Sequence, residues 1–248
     1  MPLCELRWFS QVLEKMVATT VILPENGRGP FPTFYLLHGL SDDHSTWHRR
    51  TRIEWYVREL PLIVVMPDGF RGYYTNHDDG RPFAKYIAEE LVEQIERLFP
   101  TKRARSARCV GGLSMGGYGA LRLAMGYPDR FVSATSHSGA LMIGAKTYTS
   151  PAQRELRHVF GPRPAGSNHD LIELVRRCKA AGRGPKMRID CGTDDFLIDD
   201  NRRFHTLLEE MDIPHEYEEF PGEHNWDYWD QHVQDAIWFH GKALKFWK

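Results

Sequence analysis

The chain has 248 residues, of which 42% are hydrophobic, so its length and composition predict a single globular domain over residues 1–248 with a sizeable core. Its 32 Lys and Arg residues nearly balance its 33 Asp and Glu residues, and the formal net charge of −1 excludes an overall field that would attract nucleic acid or acidic lipid. No apolar run approaches the ~20 residues that a membrane-spanning helix needs.

The four cysteines and the N-terminal segment indicate in which cellular compartment the protein is expected. Cys4, Cys109, Cys178 and Cys191 form no C-x-x-C pair and no spacing typical of a metal site, and two of them lie in strand-like runs. The N-terminal segment lacks a basic start, an apolar run and a small-residue cleavage site, so it does not resemble a secretory signal. We therefore expect a reduced, cytoplasmic protein.

The predicted strands fall into two groups. Residues 6–10 and 17–23 predict an antiparallel pair at the start of the chain. Six further strand-like runs are predicted at residues 34–37, 62–66, 108–110, 132–136, 186–190 and 215–220. Several are short and apolar and end in Gly, Pro, His or Asp, as is typical of parallel strands covered on both faces. The sequence thus predicts an α/β protein with an about eight-stranded, mostly parallel sheet flanked by helices.

Helical periodicity appears between the strands. The clearest helix is predicted at residues 84–99, where apolar residues recur every three or four positions. Similar patterns predict helices at residues 118–125, 201–211 and 235–247. The segment 139–170 contains three prolines and shows weak periodicity, so it predicts a loop-rich excursion that would cover a pocket at the functional edge of the sheet.

A G-x-S-x-G sequence at residues 112–116 follows a predicted strand and precedes a predicted helix. In this context the glycines allow a sharp strand-to-helix turn, and the hydroxyl of Ser114 is left exposed at the sheet edge. Serine is a weak nucleophile at neutral pH and needs a base within hydrogen-bond reach, with a third group that orients the base. Ser114 is therefore the predicted nucleophile, if the chain also supplies an acid and a histidine.

Both partners follow in the order Ser, acid, His that is typical of this turn. The predicted base is His224, which follows the last strand. For the acid, Asp195 is preferred to Asp194 because it lies three residues beyond Gly192, a common offset in such folds. Asp194 would then brace the turn, and Asp199 and Asp200 remain alternatives for the acid.

An anionic intermediate at a carbonyl needs two preorganised donors. One is normally the amide of the residue after the nucleophile, here Met115, and the other comes from the loop after an early strand, here Leu40. Gly39 gives that loop the freedom to turn its amide toward the pocket, and His38 is expected to support the turn.

Other side chains have two interpretations. Trp47, Tyr73, Tyr74 and Trp226 could line an acyl or alcohol pocket or simply pack in the core. His44 and His48 lie four residues apart but have no obvious third ligand, so we predict neither a metal site nor a cofactor. The basic runs at 49–52 and 102–105 could hold an anionic substrate, although solvated surface is the simpler interpretation.

At these motifs the chain resembles the esterase family that contains esterase D (S-formylglutathione hydrolase), bacterial tributyrin esterases and feruloyl esterases. The matching stretches are residues 36–41 with Trp47, 65–69, 112–120, 191–197, and 222–226 with Trp229. The resemblance implies an α/β-hydrolase fold with Ser114, Asp195 and His224 as a catalytic triad. Residues 10–24 look closer to the tributyrin-esterase branch than to esterase D, which disfavours a glutathione thioester as substrate.

The first functional hypothesis is a serine carboxylic-ester hydrolase that acts on short-chain or aromatic acyl esters through an acyl-enzyme. The alternatives are an acyltransferase similar to the mycolyltransferases, an S-formylglutathione hydrolase, and a binding module without catalysis. The expected partner is a small-molecule ester and not nucleic acid, no membrane span is expected, and homo-oligomerisation stays open.

Overall fold

The computed structural model describes residues 1–246, and these contain one eight-stranded sheet with the strand order β1-β2-β4-β3-β5-β6-β7-β8. The strands are β1 Leu3–Ser10, β2 Lys15–Ile22, β3 Thr33–Leu37, β4 Ile63–Pro67, β5 Arg108–Leu113, β6 Ser133–His137, β7 Lys186–Gly192 and β8 Glu216–Phe220. Strand β2 pairs antiparallel with β1 and β4, and the other pairs are parallel. The predicted α/β class and mostly parallel sheet are confirmed.

Helices connect the strands and cover both faces of the sheet. They are α1 Thr46–Arg50, α2 Ile53–Val57, α3 Phe83–Lys85, α4 Val92–Leu98, α5 Met115–Gly126, α6 Arg154–Phe160, α7 Leu171–Ala180, α8 Ile198–Glu210 and α9 Trp226–Leu244. Within residues 1–246, no helix has both the length and the apolar character required to cross a bilayer.

The helix predicted at residues 84–99 contains an irregularity. A π-helical segment, Tyr86–Leu91, separates α3 from α4. From this segment the carboxylate of Glu90 accepts hydrogen bonds from Ser10 Oγ at 2.5 Å and from the Gln11 amide at 2.6 Å. Single π turns inside helices are rare and often mark functional positions, and here the carboxylate of Glu90 holds the turn between β1 and β2.

The C-terminal helix begins earlier than its apolar pattern predicts. Helix α9 starts at Trp226 rather than near residue 235, because the side chain of Asn225 caps it by accepting from the Tyr228 amide at 3.0 Å. The predicted end at residue 247 lies outside the described residues. The early start places the first turn of α9 directly after His224.

The excursion at residues 139–170 is more ordered than its prolines suggest. It contains helix α6 and two short 3-10 turns, Ile143–Ala145 and Pro151–Gln153. Tyr148 and Phe160 are buried and their rings stack at 5.9 Å, so the segment has a packed interior. The weak periodicity therefore reflects short elements rather than an open loop.

The core is divided by the sheet into two clusters. One contains aromatic residues of the π-helical segment, α5, α6 and α8, represented by Tyr86, Tyr118, Phe160 and Phe204. The other contains residues of α1, α2 and α9, including Trp47. Burial of each large apolar side chain contributes about 1.5–3 kcal/mol to the free energy of unfolding, so packing on both faces stabilises the sheet. The carboxyl ends of β3, β5, β7 and β8 are thereby held at one edge.

Candidate active site

Ser114 occupies the turn between β5 and α5, with φ 52° and ψ −113°. Non-glycine residues rarely adopt a positive φ, so the surrounding structure must enforce this conformation. A Cβ at Gly116 would lie 2.5 Å from the carbonyl oxygen of Leu37, and a Cβ at Gly112 would lie 2.6 Å from the same oxygen. The two glycines are therefore required because the nucleophile turn passes directly against the end of β3.

His224 lies between Ser114 and Asp195. Its Nε2 is 3.0 Å from Ser114 Oγ, and its Nδ1 is 2.8 Å from Asp195 Oδ2. A carboxylate only accepts, so Nδ1 carries the proton and Nε2 is the acceptor for the serine hydroxyl. This arrangement of nucleophile, base and orienting acid can activate a hydroxyl for attack on a carbonyl.

Asp195 is nearly inaccessible, with 2% of its surface exposed. Burial alone would raise the pKa of its carboxyl, but hydrogen bonds from His224 and the Leu197 amide outweigh burial and lower the pKa below its usual value. The Leu197 amide donates at 2.8 Å. The carboxyl is thereby held charged next to the imidazole.

The alternative acids lie elsewhere. The Asp194 amide donates to the Gly222 carbonyl at 2.9 Å and thereby braces the loop, and the Asp194 carboxylate accepts from Thr193 Oγ1 at 3.2 Å. Asp199 is exposed, and Asp200 pairs with Lys146 Nζ at 2.6 Å. Of the four aspartates considered from the sequence, the structure brings only Asp195 to His224.

The loop after β3 lies against the nucleophile turn. A Cβ at Gly39 would lie 3.8 Å from Ser114 Cβ, so the loop that contains Leu40 lies beside the residue before Met115. His38 is buried under this loop: Nδ1 donates to the Gly39 carbonyl at 2.8 Å, and Nε2 accepts from the Gly69 amide at 2.8 Å. The imidazole thus ties the loop after β3 to the loop after β4.

The triad opens into a cleft of about 590 Å³. The cleft is lined by Gly39, Leu40, Asp42, Arg50, Leu113, Ser114, Phe196, His224, Asn225, Trp226, Asp227 and Trp229. One wall is aromatic, and Asp42, Arg50 and Asp227 supply charge. The cleft has the mixed apolar and polar lining of a small-molecule site.

The four aromatic residues considered for the pocket divide between cleft and core. Trp226 lines the cleft. Trp47 is buried behind it and donates its indole N–H to the Leu37 carbonyl at 2.9 Å. Tyr74 is buried and donates to the His38 carbonyl at 3.0 Å, and Tyr73 packs against Phe160 at a ring distance of 5.1 Å. The structure therefore places Trp47, Tyr73 and Tyr74 in the core instead of on the cleft wall.

Two residues near the triad, Phe196 and Trp229, were not singled out from the sequence as site residues. Phe196 is 76% exposed, and its ring centroid lies 4.4 Å from that of His224. Trp229 meets the His224 ring edge-on at 4.9 Å and donates to Ser138 Oγ at 3.2 Å. The one local signal available in the sequence was the position of Phe196 directly after the acid, since small-molecule sites are mostly lined by apolar and aromatic side chains.

Most residues considered for a metal site or for anion binding have contacts outside the cleft. His44 Nδ1 is bonded to Thr20 Oγ1 at 2.8 Å. Arg52 pairs with Asp230, and Arg103 and Arg105 donate to backbone carbonyls. Arg50 is the one member of these runs that lines the cleft.

A larger groove of about 1450 Å³ meets the triad cleft at Asp42, which borders both cavities. It is lined by the turn between β1 and β2, the loops after β3 and β4, and α6. Arg71 crosses it, bonded to Glu155 of α6 and to Ser41 Oγ at 2.9 Å. None of its lining residues belongs to the triad, so the smaller cleft is the candidate active site.

Comparison with known proteins gives four concordant matches. The family model described as "Putative esterase" matches residues 10–239. An acetyl esterase of Caldicellulosiruptor saccharolyticus is 31% identical, and the match covers 96% of this chain and 97% of that protein.

Two solved structures from Staphylococcus aureus are similarly close in sequence and cover 96% of this chain and 98% of their own. The fluorophosphonate-binding serine hydrolase F, with substrate bound, has a TM-score of 0.86 at 30% identity. An S-formylglutathione hydrolase apoenzyme has a TM-score of 0.86 at 31% identity. Taken with the fold and the geometry at Ser114, these matches show that the chain belongs to the putative esterase family and is a serine esterase of the α/β-hydrolase fold.

Proposed function

We propose that Ser114, His224 and Asp195 are the catalytic triad and that the Leu40 and Met115 amides form the oxyanion hole. The observation that carries this proposal is the continuous contact Ser114 Oγ to His224 Nε2 at 3.0 Å and His224 Nδ1 to Asp195 Oδ2 at 2.8 Å, at the floor of an open cleft. The reaction is hydrolysis of a carboxylic ester.

In the first half of the reaction, Ser114 Oγ attacks the carbonyl carbon while its proton moves to His224 Nε2. The carbonyl oxygen becomes an anion and accepts from the two amides, each worth about 3 kcal/mol of barrier. The bond to the alcohol oxygen then breaks, and His224 returns the proton to the leaving alcohol. The acyl group remains on Ser114.

In the second half, His224 takes a proton from water, and the hydroxide oxygen attacks the acyl-enzyme. Collapse of the intermediate releases the carboxylic acid and returns the proton to Ser114. Asp195 stays ionised throughout and stabilises the imidazolium, which fits the lowered pKa of its carboxyl. No other co-substrate enters the sequence of steps.

The cleft favours a short-chain or aromatic acyl group. Phe196, Trp226 and Trp229 give it an apolar wall, and a volume of about 590 Å³ holds a small acyl ester rather than a long lipid chain. The similarity to an acetyl esterase over 96% of the chain supports the short-chain end of this range.

Four free cysteines, none in a disulfide, support a reducing cytoplasmic location.

Ser114→Ala tests the proposal with p-nitrophenyl acetate and a p-nitrophenyl cinnamate. We expect kcat to fall by about 10⁶-fold, because the covalent route is removed, with an unchanged melting temperature. Wild-type labelling by a fluorophosphonate should be lost in the variant. Undiminished hydrolysis or labelling in the variant would show that another residue is the nucleophile, and a wild-type protein with neither property would support a binding module.

Thioester hydrolysis is the second candidate. The similarity to an S-formylglutathione hydrolase at 31% identity favours it, and a thiol is a good leaving group for the same acyl-enzyme. Acyl transfer, the remaining alternative, needs exclusion of water, whereas His224 is 17% exposed at the cleft. Rates on matched formyl oxygen and sulfur esters rank the first two, and acylated product in the presence of an alcohol would reveal transfer.

A further inference from the structure

Strand β1 forms an open edge of the sheet, since it pairs with β2 alone. The Asp68 amide donates to the Ala18 carbonyl, so Ala18 faces β4, and its β1 partner Arg7 has no backbone bond to β2. Such positions alternate along an antiparallel ladder, and the residues of β1 whose N–H and C=O groups point outward are Leu3, Glu5, Arg7 and Phe9. Within residues 1–246, no other segment bonds to these outward groups.

The two edges of the sheet differ in how they are protected against pairing. Strand β8, at the other edge, has five residues, of which Glu216, Glu218 and Glu219 are acidic. Short and charged edge strands resist the addition of a further strand. Strand β1 has eight residues in a continuous register, and residues 3–9 include neither proline nor lysine. This edge is therefore a template for a further strand.

The outward residues of β1 also share its exposed face. Leu3 is 44% exposed, and Phe9 is 50% exposed beside Met16 of β2, which is 58% exposed. Between Leu3 and Phe9 lie Glu5 and Arg7, whose side chains are bonded to each other at 2.9 Å. Along the strand, the exposed face is thus apolar, acidic, basic and apolar.

This order is complementary to itself when a second copy of the strand runs antiparallel. With Leu6 opposite Leu6 of the second copy, Glu5 lies opposite Arg7, and Leu3 lies opposite Phe9, each twice by symmetry. Side chains directly opposite each other share a face and are close enough to interact. All four outward residues also exchange backbone hydrogen bonds in this register. Charge and apolar surface are therefore matched at every outward position.

The neighbouring registers are less favourable. A shift by two residues places either Glu5 opposite Glu5 of the second copy or Arg7 opposite Arg7, and like charges directly opposite destabilise a strand pair. A shift by one residue sets outward backbone groups against inward ones and removes the hydrogen bonds. The sequence of β1 therefore specifies a single register.

We propose that β1 is the interface of a homodimer, in which the β1 strands of two copies pair antiparallel about a two-fold axis and join two eight-stranded sheets. The assembly closes at two copies, because the pairing occupies the open edge of both and β8 is acidic. A single strand pair is a small interface, so we expect a dissociation constant in the micromolar range. The proposal does not depend on the catalytic roles given above, since β1 and β8 lie at opposite edges of the sheet.

Charge reversal tests the contact between copies. Glu5→Arg and Arg7→Glu each place like charges opposite one another, so each variant alone should dimerise at least about tenfold more weakly than wild type in sedimentation velocity. One variant has two basic residues on the edge and the other has two acidic residues. An equimolar mixture should therefore form a heterodimer with about wild-type affinity.

The mixture separates the two places where these charges can act. In each variant the pair within one chain stays like-charged, so recovery of the dimer on mixing reports a contact between chains. We expect kcat for p-nitrophenyl acetate to stay within about twofold of wild type in both variants, because the triad residues His224 and Ser114 follow β8 and β5.

Cross-linking tests the register. In a Cys4→Ala background, Leu6→Cys places two thiols directly opposite each other across the two-fold axis, within the distance that a disulfide spans. Mild oxidation should convert most of this variant to a covalent dimer on a non-reducing gel. Met16→Cys in the same background is the matched control, since Met16 is exposed but lies on β2, away from the axis, and it should not cross-link.

A wild-type protein that stays monomeric up to about 100 μM would overturn the inference. A dimer that neither charge reversal weakens and that Leu6→Cys does not cross-link would also overturn it, because the copies would then meet through another surface. Folded variants that stay monomeric when mixed would show that the charges act within one chain and would count against the interface.

Discussion

Two histidine–aspartate pairs lie near each other at the carboxyl end of the sheet, and they differ in what the second ring nitrogen meets. In the cleft, His224 joins Asp195 at 2.8 Å through Nδ1 and Ser114 through Nε2. Beneath it, His137 Nδ1 joins Asp190 at 2.9 Å, and both side chains are fully buried. Among residues 1–246, His137 Nε2 has no hydrogen-bond partner.

The comparison shows that a histidine–carboxylate pair does not by itself make a base. The buried pair has the same Nδ1 geometry, and Asp190 is further fixed by the Tyr228 hydroxyl at 3.2 Å, yet the Nε2 of His137 is closed to solvent and has no hydrogen-bond partner within the described part of the chain. The cleft pair has both a serine and access to solvent. We therefore expect the cleft pair to govern rate and the buried pair to govern stability.

Matched amide substitutions give the largest expected contrast. Asp195→Asn should lower kcat about 10⁴-fold, because the amide favours the wrong tautomer of His224, with little change in unfolding free energy. Asp190→Asn should lower the free energy of unfolding by about 2 kcal/mol through the disturbed buried hydrogen bonds and leave kcat within about threefold. Ester hydrolysis and urea denaturation of both variants measure the two effects.

Equal effects of the two substitutions on kcat and on the free energy of unfolding would contradict this division of roles. A 10⁴-fold loss in Asp190→Asn with native stability would place the buried pair in catalysis. Stability loss without rate loss in Asp195→Asn would remove the assigned acid.

A third histidine extends the comparison to burial without a carboxylate. His240 is fully buried between Ser133 Oγ at 2.8 Å and Thr135 Oγ1 at 3.1 Å. Burial, with a smaller contribution from His137, lowers the pKa of His240 to about 3. The unfolded chain takes up this proton near pH 6.5, so the stability from neutral His240 is complete above that pH and is lost as the pH falls toward 3.

His240→Gln removes this titration. Wild-type unfolding free energy should fall about 1.4 kcal/mol more steeply per pH unit between pH 6 and 4 than that of the variant. Urea titrations at pH 7, 6, 5 and 4 measure the difference in slope, which cancels the other groups that titrate in both proteins. Parallel curves would mean that His240 is already protonated in the folded state.

The smallest expected effect concerns Phe196, whose ring lies against the cleft residue His224. Phe196 lies 4.4 Å from His224, between ring centroids, and is mostly exposed. Phe196→Ala should raise KM for p-nitrophenyl esters about threefold, because an apolar wall is removed, and should change stability by less than about 0.5 kcal/mol. Unchanged KM across acetyl, butyryl and cinnamoyl esters would remove Phe196 from the pocket.

The sequence predicted the sheet because its strands are short apolar runs between turn residues, and all eight predicted runs overlap observed strands. It did not predict α1 and α2, since five residues are too few to show helical periodicity. The π-helical segment Tyr86–Leu91 was also hidden, because one inserted residue hardly alters an apolar pattern.

The triad candidates were found because each follows a strand within a recognisable turn, and parallel strands bring such turns to one edge. The pocket was harder to predict. Trp47 and Trp226 are the same residue type and their rings meet at 5.3 Å, yet one is core and the other cleft.

The base His224 follows a strand at the edge of the sheet. His224 follows β8, which pairs with β7 alone, whereas the serine follows β5 in the interior of the sheet. Outer strands open at lower free energy than central ones. Local unfolding of β8 would move the His224 imidazole away while the Ser114 hydroxyl stayed in place. On heating, activity should therefore be lost at a lower temperature than the one at which the central strands unfold.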